Sequence, residues 1–343
     1  MFNPIYSVSP VLLRDIKRIT LLVHDLNQQV VPGVVLAKQQ AEARSLSTFA
    51  STSIEGNPLP LTDVKRLLKS SPAELRYSER EVVNYNHVLT WLSEAREAPF
   101  DVEQLLRIHA GVMDGLLPPH QTGRFRQEPV VIPDPRSGDI LFLPPDHGDV
   151  PRLVGELVDF IRGNESLDPL LMAGLCHKQL VIIHPFMDGN GRTTRLATSH
   201  LLNGLGLRLA GLFSFENYYN QNVSRYFRQV GAFGNYYDVA ETLEFTPWLE
   251  YFAEGILDEL QRVAKALAGR RTPATNLKAH HVALLAHIDA HGYITDADYA
   301  RLTERAKATR TLDFNHLIGL GLIVRQGRGR STHYRRAGEI EHG

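Results

Sequence analysis

His184-Pro185-Phe186-Met187-Asp188-Gly189-Asn190-Gly191-Arg192-Thr193-Thr194-Arg195 is a polar, glycine-bearing segment between two apolar patterns of helical period, Pro169 to Val181 and Gly191 to Leu202. The expected arrangement is helix, tight loop, helix. The second helix opens directly out of Gly189-Asn190-Gly191, and its first backbone N–H groups have no partners within the helix. Such an end attracts anions. Glycines let the chain curl around a phosphate without Cβ clashes, and the Asn190 amide offers a donor. Arg192 and Arg195 place two cations on the first turn, where the helix dipole disfavours them unless a polyanion is bound. Asp188 either caps the helix or presents a hard oxygen for Mg²⁺ beside the phosphate. His184, with an ordinary pKa near ~6.5, is the group suited to take a proton from a hydroxyl at neutral pH.

Working outward, 343 residues suggest two or three compact units. A hydrophobic share of 43% and a charged share of 22% are those of a globular chain. Lys plus Arg number 37 against 38 Asp plus Glu, so the chain as a whole has no field that selects nucleic acid or membrane. The single cysteine, Cys176, cannot form an intrachain disulfide and reads as a structural thiol of a reducing compartment. No leader pattern or spanning apolar run is read, so a cytoplasmic location away from membranes is expected.

Helical patterns precede the segment from Val11 to Pro32, from Leu36 to Ile54 with a stop at Gly56-Asn57-Pro58, and at 61–68, 78–95, 102–113 and 150–162. Between Arg124 and Pro145 the pattern changes. There Val130-Val131-Ile132 faces Ile140-Leu141-Phe142-Leu143 across residues 134–139, a hairpin signature.

The segment at 184–195 resembles the signature of the Fic family, His-Pro-Phe-x-Asp/Glu-Gly-Asn-Gly-Arg-x-x-Arg, at all nine specified positions. The resemblance runs to about Lys265 and implies a mainly α fold, a helical Fic core with a β-hairpin flap; the C-terminal winged helix-turn-helix expected beyond it is a separate resemblance. The Fic resemblance implies a protein adenylyltransferase that moves AMP from ATP to a Ser, Thr or Tyr hydroxyl of a target protein, or of itself, with release of pyrophosphate. His184 would be the base and Asp188 the Mg²⁺ ligand. Asp188, Gly189, Asn190, Gly191, Arg192, Thr193, Thr194 and Arg195 would bind ATP, with Tyr226, of the pair Tyr226-Phe227, and Asn235 beside the nucleotide. Thr122 to Arg126 followed by Val130, Val131 and Ile132 looks like the start of the flap that docks the target; a plain surface hairpin is the alternative. The related Doc-type kinases carry lysine where this chain has Gly191, which implies AMP transfer rather than phosphorylation. Ser51-Thr52-Ser53-Ile54-Glu55-Gly56 resembles the family's inhibitory motif, and Glu55 would pair with Arg195.

The domain boundaries that follow are 1–95 for an N-terminal helical region with the inhibitory helix, 96–265 for the catalytic core, 266–277 for a linker and 278–337 for the C-terminal unit. That last unit resembles a winged helix. From Arg301 to Arg336 it carries nine Lys/Arg and two Asp/Glu. Lys307 and Arg310 at the start of the second helix of its helix-turn-helix pair, with Arg328 and Arg330 on the wing, would contact DNA; the alternative is a dimerisation or protein-docking module. The rival function is a DNA-binding transcriptional regulator with a nucleotide-sensing or vestigial Fic domain. One sequence leaves a homodimer open.

Overall fold

Leu170 to Ile183 is mostly apolar and buried at nearly every position, His177, Lys178 and Gln179 included, and such a helix is stable only where neighbours surround it. It forms the central helix of the computed structural model. All residues are described except 30, 32, 71, 73, 95–98, 134–137, 208–209, 269–276, 321, 328 and 338–343, and the side chains of 33–35, 210, 268 and 330. The helices before the central one are α1 (Pro10–Asn27), α2 (Gly33–Ile54), α3 (Leu61–Ser70), α4 (Tyr77–Glu94), α5 (Val102–Val112) and α6 (Val150–Gly163). The central helix is α7 (Pro169–Ile183), followed by α8 (Asn190–Leu201), α9 (Glu216–Asn220), α10 (Val223–Val230), α11 (Tyr236–Val239) and α12 (Thr246–Ala268). Helix starts follow the sequence signals: Ser9, Asp101 and Asp168 each accept a backbone N–H from the first turn of α1, α5 and α7.

The chain divides into two units, Met1–Gln28 with Ala41–Ala264, and Gln29–Gln40 with Lys265–Gly343. No unit boundary falls at residue 95, where the sequence had suggested one. The helices before and after it share one core. The expected linker begins later than anticipated, because α12 continues to Ala268.

The hairpin forms with a shorter first strand than expected. β1 (Ile132–Pro133) runs antiparallel to β2 (Ile140–Leu143), pairing Ile132 with Phe142, so Val130 and Val131 precede the ladder. A third strand, β3 (Gly234–Asn235), adds parallel to β2 through Phe142–Gly234 and Leu143–Asn235. Two residues of Gly-Asn carry no strand periodicity, so only the fold reveals it.

The second unit contains α13 (Ala279–His291), α14 (Asp296–Leu302), α15 (Lys307–Gly319), β4 (Ile323–Gln326) and β5 (His333–Arg336). Ile294 bridges Tyr334 at the hairpin's edge, over a core that includes Leu284, Tyr299, Phe314 and Ile323. The order of elements is the one expected. Among the described residues no helix is long and apolar enough to cross a membrane.

Close approach of α12 to α7 depends on Gly174. A Cβ there would stand 2.7 Å from Leu249 Cδ2 and 3.0 Å from Phe252 Cδ1, and the Trp248 indole N–H donates to the Gly174 carbonyl at 2.8 Å. Gly174→Ala should therefore destabilise the protein by about 1–3 kcal/mol, despite its better helix propensity, as read from urea unfolding midpoints.

Candidate active site

The α7–α8 loop is held from three sides. At the end of α7, His184 adopts the left-handed conformation (φ 51°, ψ 61°), the sole non-glycine among the described residues to do so. For a residue with a Cβ this is strained, and it persists only where surroundings enforce it. Buried Arg126 supplies that enforcement, its Nε donating to the His184 carbonyl at 2.8 Å and its backbone N–H to Pro185 at 2.9 Å. The same guanidinium donates to the carbonyls of Glu128 and Pro145, so one side chain ties the loop to both ends of the β1–β2 segment.

His109 of α5 is the second support. The Gly123 N–H donates to its Nδ1 at 3.0 Å, which leaves Nε2 as the protonated nitrogen that donates to the Asp188 carbonyl at 3.1 Å. Its ring stacks on Phe186 at 3.8 Å. Burial lowers the His109 pKa to about 4, so the ring is neutral. The third support is Asn190. Its Oδ1 accepts from Phe186 N at 2.9 Å and its Nδ2 donates to Phe186 O at 2.8 Å. The Asn190 amide was expected to reach for phosphate; it closes the loop instead.

Within this frame the His184 ring is partly exposed. Its Nδ1–H donates to Val181 O at 3.3 Å, leaving the Nε2 lone pair free, and burial pushes its pKa down. A neutral imidazole with a free Nε2 is competent to accept a proton. Asp188 is half exposed beside the loop, its Oδ1 accepting from Gly189 N and from Arg192 Nη2 at 3.2 Å. Gly189 opens α8 at φ 77°, and a Cβ there would overlap Met113 Sδ.

The two arginines are both buried and both engaged. Arg192 Nη1 binds Glu81 of α4, and Glu81 in turn accepts from Asn57 Nδ2 at 2.7 Å. Arg195, with no exposed surface, donates from Nε to Ser51 Oγ at 2.7 Å and from Nη2 to Ser51 O at 2.9 Å and Glu55 Oε1 at 2.7 Å. Burial opposes its charge, yet the Glu55 carboxylate holds the guanidinium's pKa above its ordinary value. Gly191 has the room that this requires, because a Cβ there would overlap Glu55 Oε1. Thr193 and Thr194 are buried within α8.

The terminus of α2 explains how Glu55 arrives. Gly56 takes φ 89° and its N–H bonds Ser53 O, which ends the helix one residue before Glu55 would be carried onward. Asn57 then anchors to Ser78 O at 2.8 Å and to Glu81. One stop signal thus delivers an acceptor to Arg195 and orients an acceptor for Arg192.

Other expected site residues are placed differently. Tyr226 is 1% exposed, with its hydroxyl on His177 Nε2 at 2.8 Å, so it belongs to the core; Phe227 beside it is 47% exposed. Asn235 caps α11, its Oδ1 accepting from Tyr237 N at 2.9 Å. In the second unit Lys307 is exposed, but Arg310 is bound by both Asp296 oxygens at 2.9 and 3.0 Å and is not free for phosphate. Arg328 and the Arg330 side chain lie outside the described residues. Sequence reading singles out neither Glu81 nor His109 as functional, and takes Arg126 only as part of the start of the flap. Glu81 stands on the stripe that Tyr85, Val88 and Leu92 continue, and His109 stands between Leu105 and Val112. A charge or an imidazole at a core position of an apolar stripe was the available signal.

Residues 99–202 match the family model described as Fic/DOC family. That stretch is similar to the Fic domain. Over 200 residues it is 29% identical to a protein adenylyltransferase Fic of Drosophila willistoni, a match covering 56% of this chain and 37% of that protein. Over 198 residues it is 28% identical to protein adenylyltransferase fic-1 of Caenorhabditis elegans, covering 54% and 37%. The chain thus spans less than half the length of these relatives. A solved Fic family protein from Desulfovibrio desulfuricans G20 shares the fold with a TM-score of 0.65 at 22% identity, covering 99% of this chain and 100% of that one. The Fic match begins at residue 99, so it excludes Glu55 and Glu81, the two carboxylates that engage the domain's arginines.

The neutral His109 makes stability depend on acid. Its folded pKa, about 4, lies below the ordinary ~6.5, so the unfolded chain binds the extra proton first. This contribution is present above pH ~6.5 and is lost as pH falls towards 4, by roughly 3 kcal/mol. His109→Gln, which keeps a donor and an acceptor, should flatten that part of the stability-against-pH curve measured by denaturant titration.

Proposed function

We propose that this chain transfers AMP from ATP to a hydroxyl side chain of a target protein, and that Glu55 restrains the transfer. The observation that carries the reading is the Glu55 carboxylate against Gly191 and Arg195, an anion already seated at the N-terminus of α8. A helix end and a buried guanidinium together favour an anion there. A terminal phosphate and the carboxylate exclude each other by space and by charge. The names of the curated relatives support the class of reaction.

In this reading the backbone N–H groups from Gly189 onward cradle the phosphates, while Arg192 and Arg195 take the outer ones. His184 Nε2 removes the proton from the acceptor hydroxyl as its oxygen attacks the α-phosphorus. The bond to the β-phosphate oxygen breaks and pyrophosphate leaves. Asp188 fits a Mg²⁺ ion, because a single half-exposed carboxylate beside a phosphate cradle is the protein's usual share of such a site. When bound, the ion neutralises charge on the phosphates. The exposed Phe227, rather than Tyr226, is the aromatic available to a base.

A charge-assisted hydrogen bond of this kind contributes about 1.5–3 kcal/mol, equivalent to ten- to a hundredfold in the competent population. Glu55→Gly should raise transfer to target or self by about that factor, and adding His184→Ala should erase it. With ATP labelled in turn on the base, the α- and the γ-phosphate, protein should acquire the first two labels and not the third. Acquisition of the γ label would make the chain a kinase.

The element order of the second unit, with the Ile294–Tyr334 bridge beside the β4–β5 hairpin, favours a winged helix reading and keeps a DNA-binding regulator in view. Among the described residues Lys307 is the exposed one of its expected contacts, since Arg310 is bound to Asp296. The full chain should then retain duplex DNA at low salt and release it steeply as salt rises, with a shallower slope for Lys307→Ala. No retention at low salt would leave the unit as a docking module.

A further inference from the structure

Two histidines and an aspartate converge inside the second unit. Asp313 of α15 is buried, and its Oδ2 accepts from Arg305 Nε at 2.8 Å and from the Tyr299 hydroxyl at 2.9 Å. Its Oδ1 is held less closely, by Arg305 Nη2 at 3.1 Å and His281 Nε2 at 3.2 Å. His280 Nε2 stands 3.6 Å from that same Oδ1, too far for a hydrogen bond, and is buried with no partner. Adjacent residues of a helix point roughly 100° apart, yet both imidazoles in the first turn of α13 turn their Nε2 atoms towards one oxygen. A buried nitrogen left without a partner is a standing cost, which a ligand at that point removes.

The spacing is that of a metal ion's ligands. His280 Nε2, His281 Nε2 and Asp313 Oδ1 all lie within 4.8 Å of one another. Ligand atoms ~2.0–2.1 Å from a tetrahedral ion are about 3.3 Å apart. The two nitrogens stand 3.6 and 3.2 Å from the oxygen. Two imidazoles and one carboxylate suit zinc and its neighbours, whereas Mg²⁺ and Ca²⁺ take oxygen. Arg305 and Tyr299 hold Oδ2 from behind, as the outer partners of a ligating carboxylate do. We propose that His280 Nε2, His281 Nε2 and Asp313 Oδ1 bind a divalent transition-metal ion of the zinc class, which clips α13 to α15. The ion takes the lone pairs of both Nε2 atoms and of Oδ1. The proton on His281 Nε2 is then carried by Nδ1, a buried nitrogen that has no partner. His280 is partly exposed, which leaves a way in from solvent, and water completes the ligand set. The site lies within the second unit and does not depend on the nucleotide reading.

The test uses the full chain, freed of metal by a chelator and titrated with Zn²⁺ by calorimetry and with Co²⁺ by visible absorption. The intact chain should bind one equivalent of Co²⁺ with the intense bands of a tetrahedral ion. His280→Gln should remove those bands and weaken Zn²⁺ by at least about tenfold. It should leave the unfolding of the metal-free chain unchanged, because His280 Nε2 bonds nothing there. The rival ligands are His287 and His291, stacked at 4.1 Å one turn apart on α13, and His184 of the first unit. Replacing His287 and His291 together by Gln, or His184 by Ala, should leave the bands in place. Their loss in either variant, undiminished affinity in His280→Gln, or no saturable binding to the intact chain would each overturn the proposal. Should His280→Gln unfold the unit, the cobalt absorption edge of the intact chain decides instead. A shell holding two imidazoles supports the site, and a shell of oxygen alone overturns it.

Discussion

A guanidinium with no exposed surface can be tolerated only if acceptors surround it, and Arg195 imposes that condition on the helices around it. Two of its acceptors, Ser51 O and Ser51 Oγ, fix α2 against α8, and Glu55 follows one turn later. Buried Arg192, bound to Glu81, places the same requirement on α4. The N-terminal helices therefore belong to the same compact unit as residues 99–202, where the family match lies. Their placement is an electrostatic necessity as well as a matter of apolar packing.

Around the catalytic loop the protein spends its buried polar groups on geometry. Arg126 meets carbonyls where a carboxylate partner would have been the commoner choice, and burial accordingly lowers its pKa. His109 is neutral and serves as a two-ended clamp, and Asn190 closes a ring on Phe186. These contacts hold the left-handed His184 and the glycine turn before any ligand is present. Groups aimed in advance need no reorganisation when charge develops, which is the condition for electrostatic stabilisation of a transition state.

The same physics explains where Tyr226 and Arg310 stand. α10 is amphipathic, so adjacent residues point some 100° apart. Of Tyr226 and Phe227, the one with a buried hydroxyl partner in His177 went inward, and the residue without a polar atom to satisfy stayed at the surface. In the second unit, net positive charge did not mean free positive charge. Arg305 and Arg310 are neutralised by Asp313 and Asp296, acids that lie eight and fourteen residues away in the chain.

From the sequence alone came the helical core, the loop between α7 and α8 and the hairpin, carried by contiguous patterns, whereas the pairing of Glu55 with Arg195, 140 residues apart, came from the family resemblance. Local signals suffice there because periodicity, glycine and helix termini act over a few residues. Tertiary structure alone decided that Glu81 binds Arg192 across 111 residues, that His109 clamps Asp188 across 79, and that β3 joins the hairpin. Those partners stand on separate helices, and a single side chain at a core position carries no mark of which distant charge it will meet. Only the packing of α4, α5 and α8 around the central helix brings them within bonding distance.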